Sequence, residues 1–331
     1  MSQNTMKAIR IHDLDGIDAL RFEDAPRPKP SSSQVQIRVH AAACNFADTL
    51  QIRGLYQTKP PLPFTPGLEV AGEVCAVGED VKDLPLGTRV MGWVPFGAFA
   101  EYALLHDWAA IPIPDSMDWL NAAAFPVSYG TAYGALTQQR VALKAGETLL
   151  VHGAAGGVGL AAVEVGKALG AQVIGTAGHA SKTSLCAQHG ADEVINYRDT
   201  SFRDVIKNGV GGVDVVLDPV GGDVFSESLR CTNTDGRLVV IGFAGGAIQS
   251  IASNYLLLKN ISVAGFSFSI YARQKPEQYR RWFAELLELY AEGHFSPHIS
   301  AVWPLEETGQ ALQSLQDRSA TGKVVLRVRS D

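Results

Sequence analysis

Three rhythms of apolar and polar positions follow one another along the chain. Up to about Phe125 the apolar residues come in short alternating runs, as in Val35-Gln36-Ile37-Arg38-Val39-His40, interrupted by prolines from Pro26 to Pro114. Period-two alternation with such punctuation predicts short strands in a mainly β domain. From Thr148 the pattern becomes an apolar run, a glycine turn and a helix-length segment, repeated through TLLVHG, AAVEVGKALG, AQVIGTAG, SKTSLCAQHG and DEVINY. Further strands follow at GVDVVLDPVG, GRLVVIGFAGG and ISVAGFSFS. Strands that are continuously apolar are covered on both faces, so the expected fold class is α/β, with six strands in a doubly wound parallel (Rossmann) sheet. After Phe268 come an amphipathic helix over 276–292, a second helix over 306–316 and a strand over 323–328. That tail is too small for a core of its own and is expected to rejoin the N-terminal part. The expected organisation is therefore 1–125 and 268–331 as one domain, with 126–267 inserted as a dinucleotide-binding domain.

Composition narrows the partners. The chain has 331 residues and a formal net charge of -6 without a basic block, a poor basis for neutralising nucleic-acid phosphates. No run of about 18 apolar residues occurs and the start MSQNTMKAIR lacks the apolar core of a signal peptide, so a cytoplasmic protein is expected. Cys44, Cys75, Cys186 and Cys231 are far apart with no CxxC pair, which argues against a disulfide framework and a structural zinc lobe.

The segment His152-Gly153-Ala154-Ala155-Gly156-Gly157-Val158-Gly159 joins an apolar strand to a helix. Small residues there allow a sharp turn and close approach of backbone to a pyrophosphate, which the helix N-terminus attracts. Ala154 stands where the first glycine of GxGxxG is usual, and the surrounding strand, helix and following strand supply the context. A site for NAD usually carries an acidic residue about 20 positions beyond the glycines. Here no acidic residue occurs between Glu164 and Asp192, and the turn after the second strand reads Thr176-Ala177-Gly178-His179-Ala180-Ser181-Lys182. Lys182 suits a 2'-phosphate as a point charge and Ser181 as a donor, so NADPH is the expected cofactor. Ser181 also suits the cap of the next helix.

The stretches VHAAACNFADTLQIRGLY, PFTPGLEVAGEV, HGAAGGVGLAAVEVGKALGAQVIGTAG, GADEVINYR, VVLDPVGG and ATGKVVL together resemble the medium-chain dehydrogenase/reductase superfamily, in its zinc-independent quinone oxidoreductase branch. The resemblance implies a GroES-like catalytic domain built from both chain ends. It also implies a homodimer paired through the strand Ile261 to Phe266, an uncovered edge that is physically apt for pairing. Residue by residue it places Ala155, Gly156, Gly157, Val158 and Gly159 on the pyrophosphate, and Thr176, Ser181, Lys182 and Tyr197 around the adenosine 2'-phosphate. Ile241, Gly242, Phe243 and Ala244, with Gly265, Phe266, Ser267 and Thr131, fall beside the nicotinamide. Asn45, Asp48 and Tyr56 match the pocket wall of the catalytic domain, while Leu50 stands where related enzymes often carry a second tyrosine.

Zinc-dependent relatives need three protein ligands. Here the corresponding positions hold Asn45 and Leu68, with neither cysteine nor aspartate in 122–129, so no metal is expected. Without a Lewis acid to stabilise an alkoxide, a conjugated acceptor is the expected substrate, a quinone or an activated alkene or carbonyl. Tyr56 is the candidate hydrogen-bond or proton donor to the developing oxygen anion, with Asn45 as polar support. Two alternatives stay open: an enoyl thioester or enal/enone reductase, and a non-enzymatic NADPH-dependent binding or structural protein on the same fold.

Overall fold

The computed structural model describes residues 4–329; the first three and last two residues of the expected 1–125 and 268–331 domain lie outside them. The chain divides into two compact units.

The first unit runs through Val127 and adds Ala272–Phe283 and the chain from Pro297. Its strands β1 (Thr5–Ile11) and β2 (Leu20–Pro26) form a hairpin-like pair. Then come β3 (Gln34–Cys44), α1 (Phe46–Gln51), β4 (Glu69–Val77), β5 (Arg89–Trp93), β6 (Tyr102–His106), β7 (Ile111–Pro112) and α2 (Trp119–Ala124). The alternation read for β3 does not leave its polar face open. Gln36 is 3% exposed, accepting at Oε1 from the Arg27 guanidinium and donating through Nε2 to the Pro28 carbonyl. β3 is central in its sheet, with β4 along one side and β6 and then β15 along the other.

The second unit comprises Ser128–Tyr271 and Ala284–Ser296. α3 (Pro126–Thr137) leads into β8 (Thr148–Val151), α4 (Gly157–Ala168), β9 (Gln172–Ala177), α5 (Ala180–Gln188) and β10 (Glu193–Asn196). α6 (Phe202–Asn208), β11 (Val213–Asp218), α7 (Gly222–Cys231), β12 (Thr232–Val240), α8 (Ser253–Lys259) and β13 (Ser262–Gly265) complete the sheet. All six strands are parallel, in the order β10-β9-β8-β11-β12-β13. That order reverses between β8 and β11, which creates the crevice where doubly wound sheets bind ligands. Leu150, Ile174, Val216, Phe225 and Leu238 share one apolar core.

α9 (Phe268–Gln274), α10 (Pro276–Ala291), β14 (Ile299–Pro304), α11 (Thr308–Gln316) and β15 (Lys323–Arg327) close the chain. The helix read from 306 begins as a short 3-10 turn, Leu305–Glu307, before α11. β15 pairs antiparallel with β3 and parallel with β14, so the tail completes the first unit's seven-stranded sheet. The bounds depart from the sequence reading: residues 126–127 fall in the first unit, and 268–271 and the segment Ala284–Ser296 belong with the second. The buried Glu164 on α4 accepts from the Ser296 amide, from Tyr129 and from His189, while Glu285 accepts from Tyr133 at 2.8 Å. These polar ties and the Tyr129–Phe295 ring contact hold the segment there.

Candidate functional site

In the second unit the candidate residues other than Thr131 lie at the carboxyl edge of the sheet, because each of them lies at or after the end of a strand. After β8, the Gly156 carbonyl accepts from Leu160 N–H in the first intrahelical bond of α4. The N–H groups of Gly157, Val158 and Gly159 precede that bond and have no intrahelical acceptor. No acidic side chain occupies the first turn, so the dipole end is open to an anion. Gly159 must be glycine: a Cβ would lie 2.2 Å from the Gly153 carbonyl oxygen. Ala155 is buried beneath the loop, and Ala154 N–H donates to Thr176 O at 3.0 Å, joining the loop to β9.

His152 is buried and its ring stays neutral, its pKa lowered to about 3 by desolvation. Ser228 donates its one hydroxyl proton to Val224 O at 2.7 Å, so its oxygen accepts from His152 Nε2–H, also at 2.7 Å. The Nδ1 lone pair then accepts from the Thr176 hydroxyl at 3.0 Å. Thr176, read as a 2'-phosphate neighbour, is 2% exposed with its proton committed to His152. Its hydroxyl therefore braces the loop and is no free donor.

The α5 cap is not Ser181. The His179 ring takes that role, its Nδ1 accepting from Ser181 N–H at 3.3 Å, which leaves Ser181 exposed in the first turn with Lys182 half-buried beside it. Tyr197, 52% exposed, follows β10 and its N–H donates to Ala177 O. Its hydroxyl lies over Gly178, where an added Cβ would be 2.4 Å from it. The loop Ile241–Ala244 follows β12 and is laced to the turn after β11 by Ile241 N–H to Asp218 O and Ala244 N–H to Pro219 O. Gly265, Phe266 and Ser267 follow β13, with Phe266 N–H donating to Val240 O. Thr131 is buried on α3.

In the first unit, Asn45 starts α1 and its N–H donates to Asp48 Oδ2 at 2.7 Å. Asp48 thus braces the turn. Burial pushes its carboxyl up to about 7, against the lowering effects of the Asn45 N–H and of Lys323, and its Oδ1 is buried without a hydrogen-bond partner. Tyr56 is half-buried in the segment after α1. The sequence reading missed Glu69 and Lys323, which are almost wholly buried as an ion pair of 2.6 Å at the starts of β4 and β15. Their signal was a charged residue set directly before an apolar run, 70–72 and 324–326. An apolar recess of about 330 Å³ elsewhere in this unit is lined by Phe64, Trp93, Phe96, Tyr102 and Trp108, and by none of Asn45, Asp48 or Tyr56.

These residues do not fit a zinc ion. Leu68 offers no donor atom, Asn45 and Glu69 are committed to the Lys323 ammonium, and burial holds the Cys44 thiol well above its ordinary pKa. Among the described residues no group of three or more His, Cys, Asp or Glu is placed to hold a metal. None of the described helices is long and apolar enough to cross a membrane.

A unit with a parallel sheet and a glycine loop at its switch point, together with a mainly β unit built from both chain ends, is the composition of a two-domain dinucleotide-dependent oxidoreductase. Residues 31–115 match the alcohol dehydrogenase GroES-like domain and 157–288 the zinc-binding dehydrogenase domain. Mouse quinone oxidoreductase-like protein 2 is 43% identical over 93% of this chain and 88% of its own. Human quinone oxidoreductase is 35% identical over 98% of both chains. The solved Escherichia coli quinone oxidoreductase, in complex with NADPH, superposes with a TM-score of 0.90 at 31% identity, over 97% of this chain and all of its own. The chain belongs to the quinone oxidoreductase family of the medium-chain dehydrogenase/reductase superfamily.

Proposed function

We propose that this protein is an NADPH-dependent reductase that delivers hydride to a quinone or another conjugated alkene or carbonyl, without zinc. The observation that carries the cofactor choice is the end of β9. The position after Ala177 is a glycine with the exposed Tyr197 hydroxyl lying where a side chain would start, so it carries no carboxylate, and Lys182 stands in the first turn of α5. A ribose 2'-hydroxyl would find no carboxylate there, whereas a 2'-phosphate finds an ammonium, and also the exposed Ser181 hydroxyl once that turns from His179 Nδ1. The α4 N-terminus receives the pyrophosphate at Ala155–Gly159, and Ile241–Ala244, Gly265–Ser267 and Thr131 flank the nicotinamide.

The bound dinucleotide supplies the hydride. Asn45 is the proposed cofactor contact from the first unit, and Tyr56 donates to the oxygen on which charge develops. Asp48 keeps the Asn45 turn in place through its accepted N–H. The quinone assignment is supported by the relatives' names, and a conjugated acceptor suits a site in which Leu68 and Lys323 leave no place for a Lewis acid. The expected setting is the cytoplasm, where the four cysteines, all free thiols, stay reduced. A homodimer through the edge strand β13 is supported by Leu257 and Leu258 on the adjacent α8, 75% and 77% exposed; a monomer in light scattering would refute it.

Steady-state NADPH oxidation with a panel of quinones, enones and enoyl thioesters tests the activity. Turnover with quinones is expected. Turnover with enoyl thioesters alone moves the reading to that class, and binding of NADPH with no acceptor turned over refutes the enzyme.

A further inference from the structure

The three strand ends that meet at Asn45 bring together a closed set of polar groups. β3 ends at Cys44, β4 begins at Glu69 and β15 begins at Lys323, with Ala43 opposite Glu69 and Cys44 opposite Val324. Lys323 Nζ has three protons and three acceptors: Glu69 Oε1 at 2.6 Å, Asn45 Oδ1 at 2.8 Å and the Cys44 carbonyl at 3.0 Å. The remaining Glu69 oxygen accepts from the Val127 amide at 2.8 Å. Asn45 Nδ2 donates to Glu69 Oε1 at 2.9 Å and toward the Ala43 carbonyl at 3.3 Å.

This inventory fixes the carboxamide orientation. An ammonium only donates and a carboxylate only accepts, so the Asn45 oxygen faces Lys323 and its NH₂ faces Glu69; a flipped amide would set N–H against N–H and O against O. Both Asn45 donor protons are thereby spent inside the protein. The side chain, 9% exposed, retains one lone pair on Oδ1 and nothing to donate.

We propose that Glu69 and Lys323 are positioning residues that lock Asn45 as an acceptor-only contact, so that Asn45 serves dinucleotide affinity and not the oxyanion of the acceptor. The ligand groups that satisfy one remaining lone pair are a ribose hydroxyl or the N–H of the nicotinamide carboxamide. Stabilising a developing oxyanion needs a donor, which falls to Tyr56. The inference rests on the reading of Asn45 as a cofactor contact. It corrects that residue's share in the chemistry and adds two residues that touch no ligand.

Lys323→Met alone leaves Glu69 charged and unpaired in the interior, a change that unfolds many proteins. The test therefore uses Glu69→Gln/Lys323→Met, which removes both charges together, with Asn45→Ala and the triple variant beside it. NADPH affinity is measured by calorimetric titration and the quinone reaction by steady-state kinetics. Expected is a rise in the NADPH Kd of about tenfold in Asn45→Ala and in the double variant, the worth of one strong hydrogen bond. The quinone kcat should change by much less than in Tyr56→Phe. In the Asn45→Ala background the further pair of substitutions should leave Kd unmoved, the non-additivity of residues acting through one group. If Asn45→Ala weakens NADPH while the double variant binds it like the parent, or if the two effects multiply, the positioning role is overturned. If Asn45→Ala itself binds NADPH normally, the reading of Asn45 as a cofactor contact fails instead. A double variant with normal Kd and only a lowered melting temperature assigns the pair to stability alone.

Discussion

Acidification should loosen the nucleotide unit through one buried ring. His152 has its pKa lowered from 6.5 to about 3 by desolvation, so the unfolded chain binds a proton in that range and the folded chain does not. Stability contributed by the neutral ring is complete above pH 6.5, falls as pH drops below it, and stops falling near pH 3. At roughly 1.4 kcal/mol per pH unit the full span is worth about 5 kcal/mol, and about 2 kcal/mol is lost by about pH 5. That is a large fraction of an ordinary domain's stability. The assay is urea unfolding across this range, with hydrogen exchange at peptides from β8 and β11 to localise the loss. The comparison protein is His152→Gln, whose amide does not titrate and can still meet the Ser228 or Thr176 hydroxyl. It should start somewhat less stable at neutral pH and lose less on acidification. If His152→Gln shows the same slope as the parent over this range, the buried neutral ring is not the cause and the reasoning fails.

Asp48 should push the first unit the other way. Its carboxyl is raised from 3.8 to about 7, so the folded state gains a proton first and stability rises as pH falls from about 7 toward 3.8, a span of about 4 kcal/mol. Asp48→Asn should abolish that rise in exchange protection of α1 peptides; an unchanged profile counts against it. Gly178→Asp should lower the NADPH-to-NADH ratio of kcat/KM by about a hundredfold, since each unit of like charge near 4 Å costs a few kcal/mol even in a partly screened site. A ratio unmoved in Gly178→Asp, with Tyr197 displaced in its crystal structure, would sink the assignment of this corner to the 2'-phosphate. Gly159→Ala should cost NADPH binding at least tenfold, because its Cβ would meet backbone at 2.2 Å; calorimetry showing normal affinity would place the pyrophosphate elsewhere.

The sheet of the second unit was legible because its strands are short apolar runs, all but β10 closed by a glycine within a few residues, alternating with helix-length segments between Thr148 and Ser267. The doubly wound architecture follows from that pattern with little else. The β3 faces were harder. Alternation marks Gln36 and Arg38 as outward; Arg38 stays 42% exposed in its side chain, and only the segment carrying Arg27 and Pro28 encloses Gln36. Nor does the amphipathic pattern of 276–292 show that the chain passes from the first unit to the second within it, after Phe283, because the groups that hold the continuation, Glu164 on Ser296 and Tyr133 on Glu285, sit more than a hundred residues away and read as ordinary helix positions.

The candidate site shows the same division between local and distant information. Glycine-loop geometry is local: turn, helix start and the tie to Thr176 involve residues within one strand–helix–strand unit, so the loop could be read in place. Hydroxyl direction is not local, since whether Thr176 has a proton to give depends on Ser228, and Ser228 is committed by its own helix at Val224. Asn45 is similar at longer range, for its two ends are assigned by Glu69 and by Lys323, the latter 278 positions along the chain. A lone asparagine at a helix start reads as a cap, and here its polar atoms are spent on strand neighbours. What a sequence does offer is the anomaly of charge where burial is expected. Glu69 opens the apolar run of β4 and Lys323 that of β15, and two opposite charges at the starts of strands that both flank β3 can be buried together only if they meet. That inference needs the sheet order first, which explains why the residue types were visible while the pair, and the acceptor-only asparagine it creates, were not.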